Sequence, residues 1–233
     1  MIPSESSLYL AFAMIGGLAF SFLAFVFFGP LFFRKRIGRK YSYFSDFPFE
    51  LFDGAESNGK LLTRIFGGAF LLFDLVAAMF LVDAFVFYPH GVFFLALLAA
   101  FFHLARVILL FFLMILPARY NKPHILVVAL YFVSAALSYI LEGIFLIRYS
   151  NGDGGPMAMA LLLIAFGAID LFLMANPRFG EWAKMASEQM ADGEVVVKRP
   201  KYFLLAYSEW LGILLDALAS LSLLFAFLLL FLR

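Results

Sequence analysis

The chain has 233 residues, of which 65% are hydrophobic and 14% charged, with a net charge of +1, 33 phenylalanines and no cysteine. Such a charge balance offers no overall field for nucleic acid, and the missing thiols exclude disulfides, thiolate metal centres, iron–sulfur clusters and cysteine nucleophiles. Apolar runs long enough to cross a bilayer recur from end to end, which is the composition of an integral membrane protein.

The first apolar run begins near Ser7 with neither a basic n-region nor a small-residue cleavage site, so it reads as a retained span over 7–29. The connection 30–61 follows, carrying the basic run Arg34, Lys35, Arg36, Arg39 and Lys40 and then the aromatic stretch YSYFSDFPFELF. The basic run suits anionic headgroups. The aromatic stretch reads as an interfacial anchor in preference to a docking surface, because aromatic side chains concentrate at membrane boundaries. Further spans are expected over 62–88, 91–117, 124–147, 157–176 and 203–232, joined on one side by the connections 118–123 and 177–202. Pro30, Pro117 and Pro177 follow span ends, and Pro89, Pro123, Pro156 and Pro200 lie in turns or just before span starts. No proline is expected inside a span, where it would remove a donor and clash. In the last connection, Phe179, Trp182, Met185 and Met190 recur at helical spacing, which predicts an amphipathic surface helix over 179–191. The following DGEVVVKRPK reads as a short extended segment.

Fourteen of the 17 lysines and arginines fall in or beside the connections 30–61, 118–123 and 177–202; only Arg148 and Arg233 fall on the other side. The positive-inside rule makes the first side cytoplasmic. The fold expected is therefore an all-α integral membrane protein, a six-transmembrane-helix bundle over 1–233 with both termini non-cytoplasmic, in a bacterial-type inner membrane.

The remaining cation, Arg106, lies within the third span, three residues from His103 and on the same helix face. An ionisable residue at membrane depth is a functional-site candidate by default. Asp74, Asp83, Glu142, Asp170, Glu209 and Asp216 lie within or at the edges of other spans. Counted at 1.5 Å per residue, Asp74, His103, Arg106 and Asp216 all fall about 16 to 20 Å from a span end, close to one depth. Asp83 and Glu142 fall toward the outside, and Asp170 and Glu209 toward the cytoplasm, so that the eight residues trace a line across the membrane. Small and polar residues share faces with these acids: Ala77 and Ala78 beside Asp74, Ala135 and Ser138 beside Glu142, Gly167 beside Asp170, Gly212 and Ser220 with Asp216. The uncharged first span presents Ala13, Gly17 and Ser21. Small residues let helices approach closely, and polar ones bond between them. Arg106 is expected to contact Asp74 or Asp216.

Catalytic patterns are absent. The sequence has no H-E-x-x-H, no G-x-S-x-G and no P-loop. It has no potassium-filter sequence and no lysine inside a span for a Schiff base. His90, His103 and His124 fall at three depths, which does not suit a haem pair. No enzyme activity, cofactor or metal is expected. Two functions fit the pattern. One is a transport protein or channel subunit moving protons, cations or a small solute along the polar interior. The other is a non-catalytic scaffold, assembly or protective subunit of a larger membrane complex, docking partners through 41–53 and 179–200. Membrane lipids surround the chain in either case, as a homo-oligomer or within a hetero-complex.

Overall fold

Six long helices account for most of the described residues, which in this computed structural model are 5–52, 56–87, 92–116, 121–150, 152–176, 187–189, 195–197 and 202–232. The helices are α1 (Glu5–Ile37), α2 (Asn58–Phe87), α3 (Phe93–Ile115), α4 (Asn121–Tyr149), α5 (Gly154–Met174) and α6 (Leu204–Phe231). Each is long and apolar enough to cross a membrane. A bilayer offers no partner to backbone N–H and C=O groups, so continuous helices are the form in which such runs satisfy themselves.

Helix α6 is the most buried of the six and packs against α1, α2, α4 and α5. Helices α1 and α2 pack together, as do α3 with α4 and α4 with α5. The α4/α5 seam is close because of two glycines. A Cβ on Gly143 would come within 2.7 Å of the Ala160 carbonyl oxygen, and one on Gly167 within 2.9 Å of that of Ala136. The phenylalanines divide between the two environments. Phe25, Phe70, Phe132, Phe145 and Phe227 are buried in the core, whereas Phe20, Phe94, Phe101 and Phe172 point outward to the lipid side.

Three expectations are corrected. Helix α1 does not stop before Pro30 but runs through it to Ile37. Proline leaves the carbonyl four residues earlier without its helical donor; that carbonyl belongs to Val26, and the Tyr43 hydroxyl donates to it. The extended helix ends in Arg34, Lys35 and Arg36, cations that suit a helix C-terminus. Gly38, at φ +82°, terminates it in the left-handed conformation. Second, the buried face of α1 carries Ala11, Met14, Leu18, Ser21 and Phe25; Ala13 is exposed and Gly17 only half-buried. Of the expected small-residue stripe only Ala13 faces outward: Ser21 is buried, and the Phe73 ring of α2 sits against Gly17, where an added Cβ would collide with it. Third, Ser187–Gln189, expected as part of a surface helix, is a strand paired antiparallel with Val195–Val197, with Ser187 opposite Val197. Three consecutive β-branched valines favour the strand, and Asp192-Gly193 between the two strands is a turn-forming pair. Phe179, Trp182, Met185 and Met190 lie outside the described residues.

The aromatic stretch after α1 is a folded plug, not an interfacial anchor. A short 3-10 helix, Pro48–Phe52, is held over the end of the bundle, with Phe47, Phe49 and Leu51 buried. Arg36 Nη2 donates to the Leu51 carbonyl at 2.7 Å. The Trp210 indole N–H reaches both the Tyr41 hydroxyl at 2.9 Å and the Asp46 carbonyl at 3.0 Å. Asp46 is in turn paired with Arg39 at 2.7 Å, and the Phe203 N–H donates to the Phe44 carbonyl at 2.7 Å. Because residues 46–51 are consumed in these intramolecular contacts, only the exposed Phe44 edge of the 41–53 segment faces outward as large apolar surface among its described residues.

Candidate functional site: a buried charge cluster

Helix α3 carries Arg106 and His103 inward, both fully buried. The guanidinium meets two carboxylates, not one. Arg106 Nη2 donates to Asp74 Oδ1 at 2.8 Å and to the Ser220 hydroxyl at 2.9 Å. Its Nε lies 2.9 Å from Asp216 Oδ1. The Ser220 hydroxyl also donates to Asp74 Oδ1, and the Tyr139 hydroxyl donates to Asp216 Oδ1 at 3.2 Å. The guanidinium lies 4.8 Å from the centre of the Tyr139 ring, a cation–π contact in a dry setting. A planar fork of donors on a delocalised charge suits this many-sided contact better than a lysine would.

The His103 ring is pinned from both sides. Its Nδ1 is 2.8 Å from Glu142 Oε1; its Nε2 is 2.9 Å from the Asp74 carbonyl oxygen and 3.3 Å from Asp74 Oδ1. The Ser138 hydroxyl donates to the same Glu142 oxygen at 2.6 Å. An imidazolium satisfies both sides at once, whereas a neutral ring does so only with a protonated Glu142. Counted in side chains, three carboxyl groups surround one guanidinium and one imidazole, so with every acid ionised the cluster carries a net negative charge even when the ring is protonated. Four helices, α2, α3, α4 and α6, meet here.

Glu142 therefore belongs to the central cluster and not to a separate outer layer. Helix α3 begins at Phe93 and α4 continues to Tyr149. These limits reduce the depth difference between His103 and Glu142 to about 5 Å, which two side chains span.

A second dyad lies toward the basic end. His124 Nε2 is 2.8 Å from Glu209 Oε1, and its Nδ1 is 2.9 Å from the Leu116 carbonyl. Phe47 and Phe49 of the plug set their rings edge-on to the imidazole, with centroids 5.6 and 5.5 Å away. Glu50, also buried, accepts from the Phe47 N–H at 2.9 Å. In sequence, His124 falls at a different depth from the other histidines, so it is not among the expected site residues. The available signal was Glu209, a buried acid in need of a partner. Glu209 and Asp216 are two turns apart on α6, about 10 Å. Tyr131 packs on Gly212 between them, where an added Cβ would fall 2.9 Å from its ring.

Two expected members stand apart. Asp170 is fully buried on α5, one turn from Gly167, yet neither of its oxygens has a hydrogen-bond partner among the described residues. The Tyr131 hydroxyl is likewise without one. Asp83 lies within α2, and its side chain falls outside the described residues. Of the paired acids, Asp74, Glu142, Glu209 and Asp216 each engage one oxygen and leave the other buried and unbonded among the described residues.

Outside the spans, burial pushes the Tyr43 phenol up to about 12, and it raises Tyr41 well above its ordinary value. Lys60 beside Glu56 holds that carboxyl below the usual range, with Arg64 acting in the same direction.

No family, curated protein or solved structure matches this chain. The site must therefore be read from its chemistry.

Proposed function

We propose that this chain is a small membrane transport protein or channel subunit that moves protons or cations through its polar interior. One observation carries the reading. Titratable side chains succeed one another, buried, from the His124–Glu209 dyad to Asp216, Arg106, Asp74, His103 and Glu142, and the acids along this series each keep an unbonded oxygen. A series built only to hold helices together gains from satisfying every oxygen, since an unsatisfied buried acceptor costs about 1–3 kcal/mol. Unbonded oxygens are instead landing places for a proton or a small cation. His103 stands between two acids, Glu142 at 2.8 Å from Nδ1 and Asp74 Oδ1 at 3.3 Å from Nε2, the geometry of a relay that takes a proton from one carboxyl group at one nitrogen and releases it to the other carboxylate from the other nitrogen. Arg106 stays charged, so an arriving cation meets two carboxylates already half-neutralised by the guanidinium.

The test is flux in liposomes loaded with a pH-sensitive dye, with a potassium diffusion potential as the driving force. Glu209→Gln is the informative variant. The glutamine keeps the size of the side chain and an acceptor for His124 but removes a titratable carboxyl from the series, so a purely structural role leaves flux unchanged in a variant whose melting temperature matches wild type, whereas a conducting interior loses flux by tenfold or more. Wild-type protein that is folded but gives no flux above protein-free liposomes, for protons, sodium or potassium, overturns the proposal.

A second reading has its own support. The bonds of Arg106 and His103 join α3 to α2, α4 and α6, as a static scaffold within a larger complex would require. Purification from native membranes separates the two: stable co-purifying proteins favour the scaffold, and a lone protein with flux favours transport.

A further inference from the structure

Away from the charge cluster, a cavity of about 450 Å3 opens between α2 and α3 at the basic end of the bundle. Its wall is Gly68, Leu71 and Phe111, its roof is Phe49 and Phe52 of the plug, and among the described residues its one charged lining residue is Arg64. The volume is that of a ligand pocket and not of a packing defect. Gly68 contributes open backbone: a Cβ there would meet nothing within 4 Å. Phe111 is 47% exposed and Leu72, beside the wall, 58%, so the mouth faces the same lipid-facing surface as the outer sides of the two helices.

We infer that this cavity is a binding site for an anionic phospholipid, one acyl chain lying in the cavity and the phosphate, with no ammonium group of its own to neutralise it, on Arg64. Three observations converge on that occupant. Among the described residues the lining is apolar apart from one cation, which suits acyl chain, the apolar material within reach of a membrane-facing mouth, better than a polar solute. Arg64 stands on the first turns of α2, at the basic end of the bundle, where Arg36 holds the roof through the Leu51 carbonyl. Finally, Arg64 is at present fork-bonded to Glu56 at 3.0 and 3.2 Å, but the glutamate is 67% exposed. Exposed ion pairs are worth little, and the two non-bridging oxygens of a phosphodiester can accept from the guanidinium in the same bidentate way.

The inference is independent of transport, and its test reads lipid binding alone. Full-length protein in nanodiscs is labelled with a photoactivatable phosphatidylglycerol or with the matched phosphatidylcholine, and the adducts are mapped by mass spectrometry. Adducts are expected to concentrate on the segments 64–72 and 108–115, with the anionic lipid favoured at least threefold. Gly68→Leu fills the cavity and should reduce labelling there by both lipids about tenfold. Gly16→Leu, an equally open glycine on α1, controls for the substitution itself and should change nothing at this site. Arg64→Gln should keep acyl labelling and abolish the anionic preference, whereas Glu56→Gln, which frees the arginine, should increase it. Labelling spread evenly over the lipid-facing surface, or insensitive to Gly68→Leu in a variant whose melting temperature matches wild type, overturns the site. Persistence of the anionic preference in Arg64→Gln overturns the role of the arginine.

Discussion

The hydroxyl of Tyr43 bonds the carbonyl of Val26, the one acceptor that Pro30 strips of its helical donor. A loop residue seventeen positions downstream of that carbonyl thus completes the hydrogen bonding of α1, and the plug and the helix become one unit. Tyr43→Phe should destabilise the protein by about 1–3 kcal/mol, the cost of a buried carbonyl left unbonded. Pro30→Ala restores the backbone donor, so the same Tyr43 change made in that background should cost well under half as much. Melting temperatures of the four proteins in one detergent measure the coupling. Equal losses with and without Pro30 would detach the tyrosine from the proline.

The same residue sets an alkaline limit. Burial raises the folded pKa of Tyr43 to about 12, above the ordinary tyrosine value near 10. A group with a raised folded pKa binds its proton more tightly when folded. Its contribution is therefore fully present below about pH 10 and is lost as pH rises toward 12. Tyr41 acts in the same direction. Thermal stability should fall between about pH 10 and pH 12 in wild type, and the fall should be shallower in Tyr43→Phe. Absorbance titration near 295 nm should show phenols that ionise only above pH 11 in the folded protein and near pH 10 after denaturation.

Arg106 closes contacts with both Asp74 and Asp216, so its removal strands two acids. Arg106→Ala should cost about 3–5 kcal/mol, the penalty for breaking a buried pair on one side, and should sharply reduce the yield of folded protein. Adding Asp216→Asn to that variant removes one stranded charge and should recover part of the yield; adding Asp74→Asn as well should recover more. Size-exclusion profiles of the three proteins provide the measurement. No recovery in either combination would mean that shape, and not charge, is what Arg106 supplies.

The six helices were legible because a membrane span is written as one long apolar run, and the central charges because they interrupt such runs. Arg106 with Asp74 and Asp216 followed from counting depth along helices of known rise. The same count misplaced Glu142, since two residues at each of two helix ends moved it by one turn relative to His103. Proline at position 30 looked like a stop because its local cost is certain, while the hydroxyl that offsets it comes from thirteen residues downstream. The His124–Glu209 bond joins positions 85 residues apart, and no periodicity within either helix encodes that pairing. The plug was read as surface because its aromatic residues suit a membrane boundary as well as they suit Trp210, Phe203 and His124.

The last expectation concerns orientation. Arg34, Lys35 and Arg36 close α1, Lys60 and Arg64 open α2, and Arg178, Lys184, Lys198, Arg199 and Lys201 precede or border α6. All lie in or beside the connections between helices 1 and 2 and between helices 5 and 6, and cations flanking spans remain on the cytoplasmic side. With six crossings, both termini are then expected outside the cytoplasm. An alkaline phosphatase domain fused after Arg233, active only when exported, should be active, and a green fluorescent protein fused there by the same export route should be dark. A third fusion, within the connection after α5, should show the reverse pattern. If the terminal fusion fluoresces and the internal one has phosphatase activity, the bundle is inverted, and the His124–Glu209 dyad under its plug opens toward the outside instead of the cytoplasm.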